Sequence, residues 1–137
     1  MTKARENSDY TGLQGDLALK SPVASPVFTG NVGIGVTPEA WNGSWTALQL
    51  GATGFVGSYQ AGGTDLTVLG SNVWSDGTYK YIETDEAAIY KQQNGAHVFQ
   101  VAPSGTADAA ISFTTAMVID NSGSVSLSGA SGSPTWG

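Results

Sequence analysis

Apolar positions in this chain alternate with small or polar ones far more often than they recur at helical spacing, and glycine, proline or asparagine interrupts the alternation at short intervals. The first clear run is Asn31 to Pro38, where Val32, Ile34 and Val36 alternate with residues of little or no side chain. Glycine weakens a strand interior, so Gly33 and Gly35 predict that another backbone comes close to that face, in an assembly that of a sister chain. Further strands are predicted at Ala47 to Leu50, Phe55 to Gln60, Leu66 to Leu69 and Ile111 to Ile119. In the last, Ile111, Phe113, Met117 and Ile119 fall on one side and Ser112, Thr114 and Asp120 on the other, with a break at Thr115, which predicts one buried face.

Two tight hairpins punctuate the middle of the chain. Asp76-Gly77 and Asn94-Gly95 each lie between extended runs and have the composition of a type I′ turn. Two-residue loops set Trp74 opposite Tyr79 in the first hairpin, and Gln92 opposite His97 and Tyr90 opposite Phe99 in the second. Asn121-Ser122-Gly123-Ser124 is a further turn, leading into Val125 and Leu127. GNVGIG from Gly30 and GSVSLSG from Gly123 form a short internal echo, a turn glycine followed by alternating aliphatics.

The flanks read differently. Residues 1–21 are polar, with Tyr10, Leu13 and Leu17 spaced for one short helical stripe, although Gly12 and Gly15 oppose a helix. A helix that short needs partner chains, for example a small bundle around a threefold axis; a frayed leader is the other reading. Residues 22–38 form an extended connector and first strand, stiffened by Pro22 and Pro26; residues 39–128 form the β domain; residues 129–137 read as a flexible tail. The fold class expected is all-β: short antiparallel strands in a small sandwich-like domain, trimeric, with chains side by side or intertwined.

Composition narrows the chemistry. The chain has 137 residues, enough for one principal core, with no cysteine and one histidine, so neither a disulfide framework nor a zinc cluster is expected. Its net charge of −6 leaves only Lys3, Arg5, Lys20, Lys80 and Lys91 as basic residues, too scattered to neutralise a run of phosphates. No segment has the apolar length of a signal sequence core or of a membrane span, which needs about 20 residues. Nucleic acid and membrane insertion are therefore not expected, nor is a cofactor, and folding in a cytoplasm is.

LALKSPVASPVFTGNVGIGVTP, Leu17 to Pro38, resembles the "A-SP-FTG-V-I" connector of tail fibres and tailspikes of tailed bacteriophages. AMVIDNSGSVSL, Ala116 to Leu127, is similar to the "M-ID-G-V-I" phrase of the same proteins, and the two phrases together cover about a quarter of the chain. The resemblance implies a parallel homotrimer elongated along a virion fibre, a role in host attachment and receptor binding, and other tail or fibre proteins as partners. It further implies assembly in the bacterial host cytoplasm. The C-terminal intramolecular chaperone with a self-cleaving serine and the histidine-rich iron-binding tip of some such fibres are not found, so the match favours a shaft, collar or adaptor segment. Candidate trimer contacts are Leu13, Leu17, Val32, Ile34 and Val36.

Each candidate site in the sequence also has a plainer reading. His97 is the only histidine a nucleophile has, and it alternates with Phe99 and Val101 as a packing residue does. Asp76, Glu83, Asp85 and Glu86 form the only dense acidic group, which a glycosidase would need as a carboxyl pair roughly 5–10 Å apart, but Asp76 has a turn role and TDEA reads as a solvated loop. Trp41, Trp45, Trp74, Tyr79 and Tyr81, with Asp76 nearby, offer flat faces for stacking host-surface polysaccharide, although core packing accounts for the same residues. GNVGIG lacks the lysine and helix of a phosphate loop. A structural, non-enzymatic protein is the leading expectation, and a carbohydrate-binding module the alternative.

Overall fold

A computed structural model gives the structure of residues 27–128, and these are the residues described. Leu13, Leu17, the start of the connector and the tail 129–137 lie outside them. The described chain is all-β. Its strands are β1 (Val32–Ile34), β2 (Trp45–Leu50), β3 (Gly54–Tyr59), β4 (Leu66–Ser71), β5 (Trp74–Ser75), β6 (Tyr79–Lys80), β7 (Asp85–Gln93), β8 (Ala96–Gly105), β9 (Thr114–Ile119) and β10 (Val125–Leu127). Eight of them form one sheet in the order β1-β2-β3-β4-β7-β8-β9-β10, and β5 with β6 makes a separate two-stranded hairpin. Only β1 and β2 pair in parallel; every other neighbouring pair in the large sheet is antiparallel.

Alternation sends Trp45, Ala47 and Gln49 of β2, Phe55 of β3, Val68 of β4, Ala87 and Ile89 of β7, and Ala102 of β8 to one face, where all are buried. The layer over them is the small hairpin with its flanking loops, which contribute Trp41, Val73, Trp74 and Tyr81, rather than a full second sheet. The aromatic rings interlock: Trp41 and Phe55 have centroids 4.7 Å apart, Trp41 and Trp45 5.6 Å, and Trp45 and Tyr59 5.3 Å. Phe55 is completely buried, and its ring occupies the space that a side chain at Gly70 would need, so β3 and β4 approach through glycine.

Two buried amides join the layers. The Oε1 atom of Gln49 accepts from the Glu39 N–H at 2.9 Å and the Trp41 indole at 3.4 Å, while its Nε2 donates to the Ala52 carbonyl at 3.3 Å. Asn72, at φ 59°, accepts from the Glu83 N–H at 2.7 Å and donates to the carbonyls of Glu83 and Glu86 at 3.1 and 3.0 Å. Each satisfies backbone groups that the covering loops would otherwise bury unpaired.

The β7–β8 hairpin has the predicted register, Gln92 opposite His97 and Tyr90 opposite Phe99, and Asn94 and Gly95 both take positive φ, 52° and 79°, as a type I′ turn requires. The β5–β6 hairpin is corrected. Trp74 pairs with Lys80 and Ser75 with Tyr79, leaving a three-residue loop in which Gly77 has positive φ and Asp76 does not. Asp76 instead uses its Oδ1 to accept the Thr78 N–H at 3.3 Å, a local bond that lengthens the turn by one residue.

Two further expectations change. The backbone that crowds Gly33 belongs to the same chain: a Cβ there would overlap the Val36 carbonyl and Pro38, so the glycine admits the chain's own turn rather than a sister chain. Ile111 and Phe113 pack on the core ahead of β9, but Phe99 pairs with Met117 while Gln100 pairs with Thr115, which makes Ala116 the extra residue of a β-bulge. The break in alternation seen at Thr115 is this bulge. It turns Met117 and Ile119 to the opposite face from Ile111 and Phe113, so the four do not share one buried surface.

Candidate functional site

The second face of the large sheet has no covering layer among the described residues, and its side chains are not those of an ordinary solvated face. Following the register across the sheet, Val32, Leu48, Val56, Leu69, Tyr90, Phe99, Met117 and Leu127 stand side by side, one from each of the eight strands. Ile34, Leu50 and Val101 extend this row on one side, and Ile119 and Val125 lie on the other. Several are well exposed: Ile34 by 58 %, Leu69 by 55 % and Val101 by 49 %. Antiparallel sheets usually turn polar residues to water on their open face. Here a shallow apolar groove of about 290 Å³ opens between Leu69, Tyr90, Phe99 and Val101, above the small side chains of Ser71 and Ala88.

Tyr90, His97 and Phe99 make an aromatic stack on this face. Tyr90 and Phe99 have centroids 4.8 Å apart, Tyr90 and His97 rings are nearly parallel at 13°, and the Tyr90 hydroxyl is 2.5 Å from His97 Nδ1. The hydroxyl beside the only histidine is therefore a phenol on an open sheet face.

A polar cleft of about 550 Å³ lies at one end of the sheet, between the β3–β4 loop and the β7–β8 turn. Ser58, Thr64, Asp65, Thr67, Gln92, Gln93, Asn94 and His97 line it together with Tyr59, Leu66 and Ala96. The Asn94 N–H donates to the Asp65 carbonyl at 3.1 Å, tying the two loops together.

Of the residues expected to stack sugars, Trp41, Trp45, Trp74 and Tyr81 are brought together, but inside the core, where no ligand reaches their faces. The aromatic sugar platform is therefore corrected to an aromatic core, because the covering hairpin folds these rings onto Phe55 and Val68. Tyr79 is half-buried, edge-on to Phe113 at 5.7 Å, and burial pushes its phenol up to about 12. Asp76 is exposed and bonds Lys80 Nζ at 2.5 Å, which holds its carboxyl below the usual range; Lys80 also sits 5.2 Å above the Trp74 ring. Asp85 is likewise lowered, first through hydrogen bonding with Glu86.

Of the candidate trimer contacts, Val32 and Ile34 belong to the apolar face, and Val36 follows β1 in the turn that closes over Gly33. No group of three or more His, Cys, Asp or Glu gathers among the described residues to hold a metal ion.

No family model, curated protein or solved structure matches the chain. Both the apolar face and the polar cleft therefore rest on their own geometry. The face was only partly legible, through Val32 and Ile34. A sheet-wide register would have shown the rest, since it sets one apolar residue of each strand in the same row, between rows that mix apolar residues with Thr67, Ser71, Gln92 and His97. The cleft combines two loops 30 residues apart in sequence, Asp65 and Gly95, and single-strand patterns do not bring them together.

Proposed function

We propose that this chain is a structural, non-catalytic segment of a homotrimeric tail fibre or fibre adaptor of a tailed bacteriophage. The observation that carries the reading is the eight-residue apolar row on the uncovered face of the sheet. Eight strands about 4.8 Å apart make this row roughly 34 Å long. An exposed apolar row of that length has the character of a contact between copies.

The number three and the phage fibre context come from the resemblance of Leu17 to Pro38 and Ala116 to Leu127. Three sheets turned to a common axis would bury Leu69, Phe99 and Val101 of each chain against those of its neighbours and leave the loop-covered layers outside. Such a prism is stiff because its core is sheet against sheet, which suits a part that carries a receptor-binding tip away from the particle. Its partners are then other tail or fibre proteins, and its place is the virion after assembly in the bacterial cytoplasm.

The test is the absolute mass of the full chain in solution, by light scattering on a sizing column. One chain is 14.0 kDa, so three give 3 × 14.0, about 42 kDa. A mass at that value supports the trimer, and a concentration-independent 14.0 kDa species refutes it.

A further inference from the structure

We infer that the polar cleft between the β3–β4 loop and the β7–β8 turn binds a neutral saccharide. Its volume of about 550 Å³ is in the range of small-molecule sites, about 300–1,000 Å³. Its chemistry is selective. The lining holds no lysine or arginine, so a phosphate, sulfate or carboxylate ligand finds no counter-charge, and Asp65 repels one. An apolar ligand would strip water from the amides of Gln60, Gln92, Gln93 and Asn94 and from several hydroxyls without replacing those hydrogen bonds.

What those groups match is a ligand dense in hydroxyls, each able to donate and accept. Amides of Gln92, Gln93 and Asn94 supply both roles, and the Asp65 carboxylate accepts from neighbouring hydroxyls. Among the described residues the side chains of Thr64, Asp65, Thr67 and Gln93 are engaged in no hydrogen bond, while Ser58 donates to the Leu66 carbonyl at 3.1 Å and Gln92 to the Tyr90 hydroxyl at 3.2 Å. Tyr59, fixed against Trp45 at 5.3 Å, with Leu66 and Ala96 provides the apolar wall that the C–H face of a sugar ring needs. The site is also preformed: Gly62 and Gly63 at φ 72° and 68° shape one loop, a type I′ turn shapes the other, and the Asn94 to Asp65 bond locks them.

The cleft is built within a single chain, and it shares Ser58, Thr67, Gln92 and His97 with the outer face, whereas Gln93 belongs to the opposite set of alternate positions and Thr64 to the β3–β4 loop. The experiment is a two-dimensional amide NMR titration of the full chain with glucose, galactose and N-acetylglucosamine, and with glucuronic acid as the acidic probe, each to tens of millimolar. Expected are saturable shifts confined to residues 58–67 and 92–97 for at least one neutral sugar, with a millimolar Kd, and binding of glucuronate at least about tenfold weaker. Thr64→Ala and Gln93→Ala should each weaken the neutral sugar about fivefold or more without changing the thermal midpoint or the solution mass. Asp65→Asn should narrow the gap between neutral and acidic sugars. The inference is overturned if no neutral sugar gives saturable shifts, if the shifts lie elsewhere, or if glucuronate binds equally well. It is also overturned if the variants change the solution mass and leave sugar binding intact, which would make the cleft the polar rim of a contact between copies.

Discussion

Replacing Leu69 by glutamate separates folding from assembly, because this side chain is on the outer face and contributes nothing to the buried core. Fully burying a leucine stabilises by about 1.5–3 kcal/mol, and Leu69 is already nearly half covered within its own sheet, being 55 % exposed. Closing the outer faces therefore gains about 1 kcal/mol at this position per chain, or about 3 kcal/mol over three chains. Losing it lowers the assembly constant about a hundredfold. A carboxylate in its place adds the cost of desolvation, several kcal/mol per ion, so Leu69→Glu should run as a single chain at micromolar concentration. Its monomer should nevertheless keep the fold, since exposed substitutions usually move stability by within about 0.5 kcal/mol. Light scattering gives the mass and far-ultraviolet circular dichroism the strand content. Ala109→Glu, exposed in the covering layer, is the control that should stay assembled. If Leu69→Glu keeps the wild-type assembled mass, the outer face is not the contact and the reasoning from the apolar row fails.

Asn72→Asp should cost about 2–4 kcal/mol in urea unfolding, because an acceptor then faces the carbonyls of Glu83 and Glu86 where the amide now donates; a loss under about 0.5 kcal/mol would show that this bridge does not anchor the loop. Gly70→Ala should destabilise by about 1–3 kcal/mol through overlap with the Phe55 ring, and the double variant with Phe55→Leu should show less than the sum of the two single losses; strict additivity would contradict the contact. The Tyr79 phenol, raised from 10.0 to about 12, keeps its proton in the folded chain after the unfolded chain has lost its own. That contribution is complete below pH 10 and is lost between pH 10 and 12, so Tyr79→Phe should flatten the alkaline fall in stability over this window, and an unchanged profile would contradict it.

Local turn chemistry made the β7–β8 hairpin readable to the residue, since Asn94-Gly95 admits one turn type and that turn fixes Tyr90 opposite Phe99. The β5–β6 hairpin carried nearly the same signal and came out one residue longer, because the Asp76 side chain competes with the backbone for Thr78. Strand existence was legible from period-two alternation, while the face each residue takes was not wherever register shifts. Ala116 shows why: a bulge changes sides without altering composition. The tryptophans were ambiguous for a different reason. A flat ring for sugar stacking and a flat ring for a core are the same residue, and only the hairpin closing over Trp41 and Trp45 decides between them.

The strand directions have a mechanical consequence. With one parallel pair followed by six antiparallel ones, β1 and β10 point the same way from opposite edges of the sheet. Tension applied through the residues before Val32 and after Leu127 therefore pulls the two edges in opposing directions along the strands. That geometry shears the hydrogen-bond ladders, loading the bonds of each ladder together, where peeling would break them singly. The first to yield should be the three-residue ladders at the edges, β1 on β2 and β9 on β10, which makes them the mechanical fuses of the segment.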